Sequence, residues 1–381
     1  MSIKDKIAII GMGCTKFGEH WDKSSDDMII EAAYEAFEDA GVGPDGIEAA
    51  WVGTTSSGVA GASLANPLKL RDIPITRVEN FCATAMDALR NAAFGVACGE
   101  YDVALALGFE KLKDYGGRGL PLARLHPYIT FGRSAPGMFS LPCAQYFEKY
   151  GADKETLAKI AVKNHKNGAL NPKAHFQREI TVEQVLKAPI IAWPLGLFDC
   201  CPTTDGAAAA IITRKELAPR FNQDYVLVKA MSLTVDSMYP ALRPGHDFLH
   251  WPATRVACKK AYDQLGISDP RKELSIAEVH DCFTITELLI YEDMGLCEQG
   301  QAKEMIDSGV FERDGEFPVN PDGGLKSFGH PVGASGLRMI YEIYKQIQGK
   351  ADKRQLPNVE LGLAHNLGGP PQVCCVAIIG R

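Results

Sequence analysis

The sequence predicts an α/β protein built from two similar halves, and three observations predict it. Apolar runs of strand type alternate with helix-type runs across short connections. The plan of residues 1–225 returns in residues 226–381. A run at about 112–200 interrupts the first half, and its dense aromatic and apolar residues mark it as a covering subdomain and not a flexible linker. At 381 residues and 46% apolar composition the chain can bury an extensive core.

The first half opens with the strand KIAIIGMG and a helix near DDMIIEAAYEAFEDAG, whose leading acids suit the positive end of a helix. The strand AAWVGTT follows, then ITRVENFC, the helix ATAMDALRNAAFGVACG and the strand YDVALALGFEKL. After the insertion, which ends at GLFDCCPTTDG, the core resumes with AAAAIITR. The second half runs YVLVKAMSL, RVACKKAYDQLG, SIAEVHDCF, TITELLIYEDMG and GASGLRMIYEIYKQIQG, and closes with the strands VELGLAHNLGG and QVCCVAIIGR. A site is expected where the two halves meet.

Charge and composition exclude several classes. The net charge of −7 is spread over interspersed acids and bases, so no broad field attracts nucleic acid or an anionic membrane. No stretch reaches the roughly 20 apolar residues that span a bilayer, and the N-terminus reads as a first strand of a cytoplasmic protein. The eleven cysteines include no CxxC pair, which argues for reduced thiols. Most read as small buried residues; the adjacent pairs Cys200-Cys201 and Cys374-Cys375 leave room for one member to face a pocket. GHDFLH sets His246 and His250 four apart, but Gly245 and Trp251-Pro252 oppose a continuous helix, so no metal is expected. GMGCTKFG lacks the full dinucleotide-binding spacing.

Four turns carry the candidate chemistry. NFCATA places Cys82 just before an alanine-rich helix, where free N–H groups favour a nucleophile; a small packed residue at a tight helix entry reads equally well. GHPVGASG holds His330 in a Gly/Pro-rich turn from which an imidazole can reach a thiol or an anionic oxygen, or serve structure alone. HDCF puts His280, Asp281 and Cys282 where a strand hands over to a helix. HNLGG ends a strand in His365-Asn366 and a diglycine whose peptide N–H groups can approach a substrate closely, although a polar β-turn is the simpler reading.

Together, NFCATA, HDCF, GHPVGASG and HNLGG resemble the thiolase superfamily in order and spacing along nearly the whole chain. HDCF and HNLGG are similar to the sterol-carrier-protein-type and archaeal-type branch. The resemblance implies a thiolase fold, two fused βαβαβαββ halves in an α/β/α/β/α core, assembled as at least a homodimer. It implies an acyltransferase whose substrates are coenzyme A thioesters. Cys82 would take the acyl group of a β-ketoacyl-CoA, activated by His330. His280 would support the thioester oxygen, with Cys282 as proton carrier. The backbone N–H groups of Cys82 and Gly369 would form an oxyanion hole, where one lost donor costs roughly 3 kcal/mol. His365 and Asn366 are possible supporting residues. Asp281 would fix its turn.

Pro370-Pro371 depart from the pattern and put the shape of the oxyanion loop and acyl pocket in doubt. In the insertion, Arg118, Arg124 and Arg133 stand among aromatic residues and can meet coenzyme A phosphates or an acyl carboxylate. This favours a bulky, aromatic or carboxylated substrate, of benzoylsuccinyl type among others, over acetoacetyl-CoA. The branch also implies a small zinc-ribbon/OB-fold partner that would carry any zinc. A condensing ketosynthase, an acetoacetyl-CoA thiolase and a non-catalytic scaffold subunit are the alternatives.

Overall fold

A computed structural model describes residues 3–115, 134–237, 243–369 and 371–381. The first half comprises β1 (Ile7–Cys14), α1 (Ser25–Ala40), β2 (Ala49–Gly53), α2 (Ala62–Leu68), β3 (Ile75–Val78), α3 (Thr84–Ala97) and β4 (Val103–Glu110). Then come α4 (Ala135–Tyr150), α5 (Lys154–Gly168), α6 (Val182–Lys187), the hairpin strands β5 (Ile190–Ala192) and β6 (Leu195–Gly196), and β7 (Gly206–Arg214). The remainder comprises β8 (Val226–Val235), α7 (Pro252–Leu265), α8 (Pro270–Glu273), β9 (Ile276–Glu278), α9 (Thr284–Asp293), α10 (Ala302–Asp307), α11 (Gly324–Ser327), α12 (Ser335–Gln348), β10 (Leu361–Gly368) and β11 (Val373–Gly380).

Among the described residues, nine strands form one sheet in the order β3-β2-β4-β7-β1-β8-β11-β10-β9. The halves join where β1 meets β8, at Ala8 opposite Leu227 and Ile9 opposite Val226. Moving outward from that seam, β1–β7 and β7–β4 are antiparallel and β4–β2 is parallel. On the other side β8–β11 and β11–β10 are antiparallel and β10–β9 is parallel. The duplicated plan of the sequence is thus a duplicated strand order, with β3 as an additional edge in the first half.

Strands buried on both faces have to be covered by helices on both. In β4, Leu105 and Leu107 join the core under α1, while Ala104 and Ala106 join the core that contains α3. Helix α1 packs on β1, β7 and β4, and α7 packs on β8 and β11. Helices α3 and α12 touch each other and strands from both halves. They form the middle layer of an α/β/α/β/α stack, and Ala208 and Ala210, the two alanines of β7 in their core, leave room for their close approach.

Local signals explain the ends of elements. Ser24 accepts the Asp27 N–H at 3.2 Å while the Asp27 carboxylate accepts the Ser24 N–H at 2.8 Å, a reciprocal cap that starts α1. The strand expected through SIAEVHDCF stops at Glu278, because the backbone turns there to pair Val279 N–H with the Asn320 side chain at 2.7 Å. That early end releases His280, Asp281 and Cys282 into a turn at the base of α9.

Candidate active site

Cys82 stands two residues before α3, on a turn that its neighbours hold shut. Phe81 adopts a left-handed φ of 53°, uncommon for a bulky residue. The Asn80 N–H donates to Thr84 Oγ1 at 2.8 Å, and the Asn80 amide donates to Asp87 at 2.7 Å. The tip of β10 closes over the turn at Gly369, itself at φ 69°; a β-carbon there would fall 2.6 Å from the Phe81 ring. No other residue type fits so close to the turn that presents the thiol.

His330 Nε2 lies 3.2 Å from Cys82 Sγ. Its Nδ1 lies 2.7 Å from Ser335 Oγ, at the first residue of α12. Ser335 donates its own hydroxyl proton to the Pro331 carbonyl at 3.0 Å, so its oxygen accepts from Nδ1–H. The proton of His330 is therefore on Nδ1, and the Nε2 lone pair faces the thiol.

His280 is arranged the other way. The Asn366 amide N–H donates to His280 Nδ1 at 3.1 Å, which fixes the ring proton on Nε2. The two rings meet at 5.2 Å between centroids, and the donor atoms of Cys82, His280 and His330 lie within 4.8 Å of one another. One imidazole accepts a proton and the other offers one, at a single point.

Cys282 is buried beside them, with Sγ 3.7 Å from Thr286 Oγ1. The segment 200–204 walls the same space: Cys201 N–H donates to the Cys282 carbonyl at 2.9 Å, and Cys200 and Thr203 bridge to Phe283 and His330. The thiols of Cys82, Cys201 and Cys282 are near enough that a thiolate on one would oppose ionisation of another. Asp281 accepts from Leu325 N–H at 2.6 Å, Lys326 N–H at 3.1 Å and the Asn164 amide at 2.8 Å, so its side chain ties the HDCF turn to α11 and α5.

Burial sets the protonation of the site. It pushes the Cys82 thiol up to about 12, against the opposing pull of the Gly369 and Cys82 backbone N–H groups. It holds His330 down to about 3, with Arg338 adding to the effect, and takes His280 well below the usual histidine range. Cys282 is raised well above an ordinary thiol, again by burial. The resting site is a neutral thiol facing a neutral base, with a second protonated thiol in reserve.

The structure gathers Cys82, His280, Cys282, His330, Asn366 and Gly369 into this site. It directs His365 elsewhere: successive residues of β10 face opposite ways, and the His365 ring bonds Thr254 of α7 at 3.0 Å. Arg118, Arg124 and Arg133 lie outside the described residues. Ser335 was visible within GHPVGASG only as a turn residue; its role depends on the first turn of α12 folding back on His330. Among the described residues, two groups have the donor types for a metal ion: Cys82, His280 and His330, and His246, Asp247 and His250.

Comparison with known proteins places the chain. The family model described as "Thiolase, N-terminal domain" matches residues 7–118, and "Thiolase C-terminal domain-like" matches residues 239–381. An acetyl-CoA acetyltransferase of Methanothermobacter thermautotrophicus is 37% identical over 98% of this chain and 99% of its own length. Human sterol carrier protein 2 is 33% identical over 95% of this chain and 70% of its own length. Among solved structures, an Ltp2-ChsH2(DUF35) aldolase superposes with a TM-score of 0.88 at 26% identity, over 100% of this chain and 99% of its own. The acetyl-CoA acetyltransferase of Syntrophomonas wolfei shares the fold, with a TM-score of 0.73 at 19% identity over 99% of each chain. The chain belongs to the thiolase family of acyltransferases.

Proposed function

We propose that the protein cleaves a β-ketoacyl-CoA with coenzyme A, or runs the reverse Claisen condensation, through an acyl-enzyme on Cys82. The observation that carries this reading is the 3.2 Å approach of the His330 lone pair to the Cys82 thiol. His330 takes the thiol proton as sulfur attacks the keto carbon, and the tetrahedral oxyanion sits on the Cys82 and Gly369 N–H groups. Collapse breaks the carbon–carbon bond, leaving an acyl group on Cys82 and an acyl-CoA enolate. His280 Nε2–H holds the enolate oxygen, and Cys282 delivers the proton that completes the released acyl-CoA. The Cys282 thiolate takes the proton of coenzyme A as its sulfur attacks the thioester; the bond to Cys82 breaks, the second acyl-CoA leaves, and His330 returns its proton to the Cys82 sulfur.

Asn366 supports His280, while His365 supports the packing of β10. The mechanism needs no metal in this chain, since thiols and imidazoles supply both the proton transfers and the oxyanion contacts. Bulky, aromatic or carboxylated acyl groups remain our preferred substrates, with Arg118, Arg124 and Arg133 as coenzyme A or acyl contacts. Among the described residues β3 is a sheet edge paired on one side only, which supports a homodimer built on that edge. The division at 225/226 separates two halves of common ancestry. No helix of the described residues is long and apolar enough to cross a membrane, and we place the protein in the cytoplasm.

The Ltp2-ChsH2(DUF35) aldolase, whose name joins two components, supports a partner subunit for this chain, and we take that partner to be of the small zinc-ribbon/OB-fold type. It also favours a second reading, carbon–carbon cleavage without an acyl-enzyme. Steady-state thiolysis of a β-ketoacyl-CoA panel separates the two. The thiolase reading requires coenzyme A-dependent turnover, and cleavage that ignores coenzyme A supports the aldolase.

A further inference from the structure

We propose that His246, Asp247 and His250 bind a divalent transition-metal ion of the zinc class, in the loop that joins β8 to α7. The site stands apart from the chemistry at Cys82, which uses none of these residues.

The spacing of GHDFLH opposes a metal site only if the two histidines need a helix to bring them together, and here a curled loop does so instead. The backbone turns left-handed at Gly245, with φ 72°, and again at Phe248, with φ 60°. That conformation is uncommon for a bulky side chain, so the curl is imposed by the surrounding contacts. The imidazoles of His246 and His250 meet at 5.0 Å between centroids, and the Phe248 ring packs on His246 at 5.1 Å. One donor atom from each of His246, Asp247 and His250 lies within 4.8 Å of the other two.

Hydrogen bonding shows which atoms are free. Asp247 Oδ1 accepts the Leu249 N–H at 3.1 Å and lies 2.9 Å from His250 Nδ1. That contact keeps the His250 ring proton on Nδ1 and leaves the Nε2 lone pair open, the carboxylate–histidine arrangement that aims an imidazole at a metal. Asp247 keeps its second oxygen, 3.8 Å from Lys149 Nζ of α4. His246 is the anomaly, because both of its ring nitrogens are out of water and neither has a hydrogen-bond partner. Buried polar atoms are nearly always answered, and a neutral imidazole has a lone pair to place. A metal ion answers it.

The surroundings admit a cation. Arg243 is engaged by Asp236, and Arg255 by Asp293 at 2.6 Å, so each nearby guanidinium already has its own carboxylate. The three donor residues are only partly buried, which leaves an entry path and room for water at the remaining coordination positions. Two imidazoles and one carboxylate suit zinc, nickel or cobalt, whereas calcium and magnesium prefer oxygen alone. The loop runs directly into Trp251, whose ring packs on Phe139 at 5.8 Å, and Phe139 stacks on Phe283 at 4.6 Å, next to Cys282. An ion in the loop therefore braces the aromatic row behind the HDCF turn.

The test titrates Zn2+ by calorimetry into chelator-treated protein whose accessible cysteines, Cys82 among them, have been alkylated, so that no thiol competes. A single ion per chain is expected. His246→Ala and His250→Ala should each weaken binding at least about 100-fold, since losing only the outer partner of a ligand costs roughly 10- to 100-fold. The ion should also raise the melting temperature of the wild type and leave that of the two variants unchanged. Should either variant fail to fold, the wild type still decides: Zn2+ should abolish carbethoxylation of His246 and His250 by diethylpyrocarbonate, read by peptide mass spectrometry. No binding by the alkylated wild type, binding retained in a folded variant, or histidines modified equally with and without Zn2+ would each overturn the proposal.

Discussion

The imidazoles of His280 and His330 meet edge to face, 5.2 Å between centroids at 83°, with opposite tautomers. Neither ring sets its own tautomer. Ser335 fixes one and Asn366 the other, so the chemistry we propose at Cys82 would depend on two residues whose hydrogen bonds go to the imidazoles and not to the sulfur.

Ser335→Ala removes the acceptor that keeps the His330 proton on Nδ1. Acylation of Cys82 should slow by roughly 10- to 100-fold, the range for losing a partner that fixes an imidazole. Pre-steady-state release of the first acyl-CoA measures it. An unchanged burst rate would show that His330 keeps its orientation without the hydroxyl.

Asn366→Ala frees the His280 ring to turn its lone pair toward the enolate. Exchange of the α-protons of acetyl-CoA with deuterated solvent reports enolate formation directly. We expect exchange to fall by roughly 10- to 100-fold, with acylation of Cys82 affected less.

Reactivity of the Cys82 thiol should climb steadily with pH. Burial raises its pKa to about 12 and lowers that of His330 to about 3, so no thiolate–imidazolium pair forms near neutrality. Inactivation by iodoacetamide should rise about tenfold per pH unit from pH 6 to 9, because thiolate is the reactive form. A plateau near pH 7 would reveal an ion pair and contradict the neutral site.

His365 offers a stability test away from the chemistry. Burial lowers its pKa to about 3, so as pH falls below 6.5 the unfolded chain binds a proton there that the native chain refuses. That loss of stability is absent above pH 6.5 and grows by about 1.4 kcal/mol per pH unit down toward pH 3. His365→Gln removes it. Relative to the wild type, the variant should gain stability between pH 6.5 and 5 in paired urea titrations; a constant difference would show that His365 is protonated in the fold.

The turns at Cys82, HDCF, GHPVGASG and HNLGG were legible because each interrupts an apolar run with groups that titrate or bond. The duplicated plan was legible in the return of the strand–helix order, which the matching strand sequence outward from β1 and β8 explains. Adjacent residues of one motif were harder to separate. His365 and Asn366 carry similar promise in sequence, yet strand alternation sends only Asn366 to the site. Ser335 depends on tertiary contact: an ordinary serine gains meaning from the Pro331 carbonyl.

The central claim is that Cys82 and Cys282 divide the chemistry, one carrying the acyl group and the other the proton. Intact-mass and peptide mass spectrometry of the wild type and Cys282→Ala, each mixed with a β-ketoacyl-CoA, tests it most directly. We expect an acyl adduct on Cys82 in both, discharged by coenzyme A, with turnover by Cys282→Ala reduced at least about 100-fold, the low end of the range for losing a positioned acid. An adduct on Cys282, or turnover of the wild type with none on Cys82, would contradict the account.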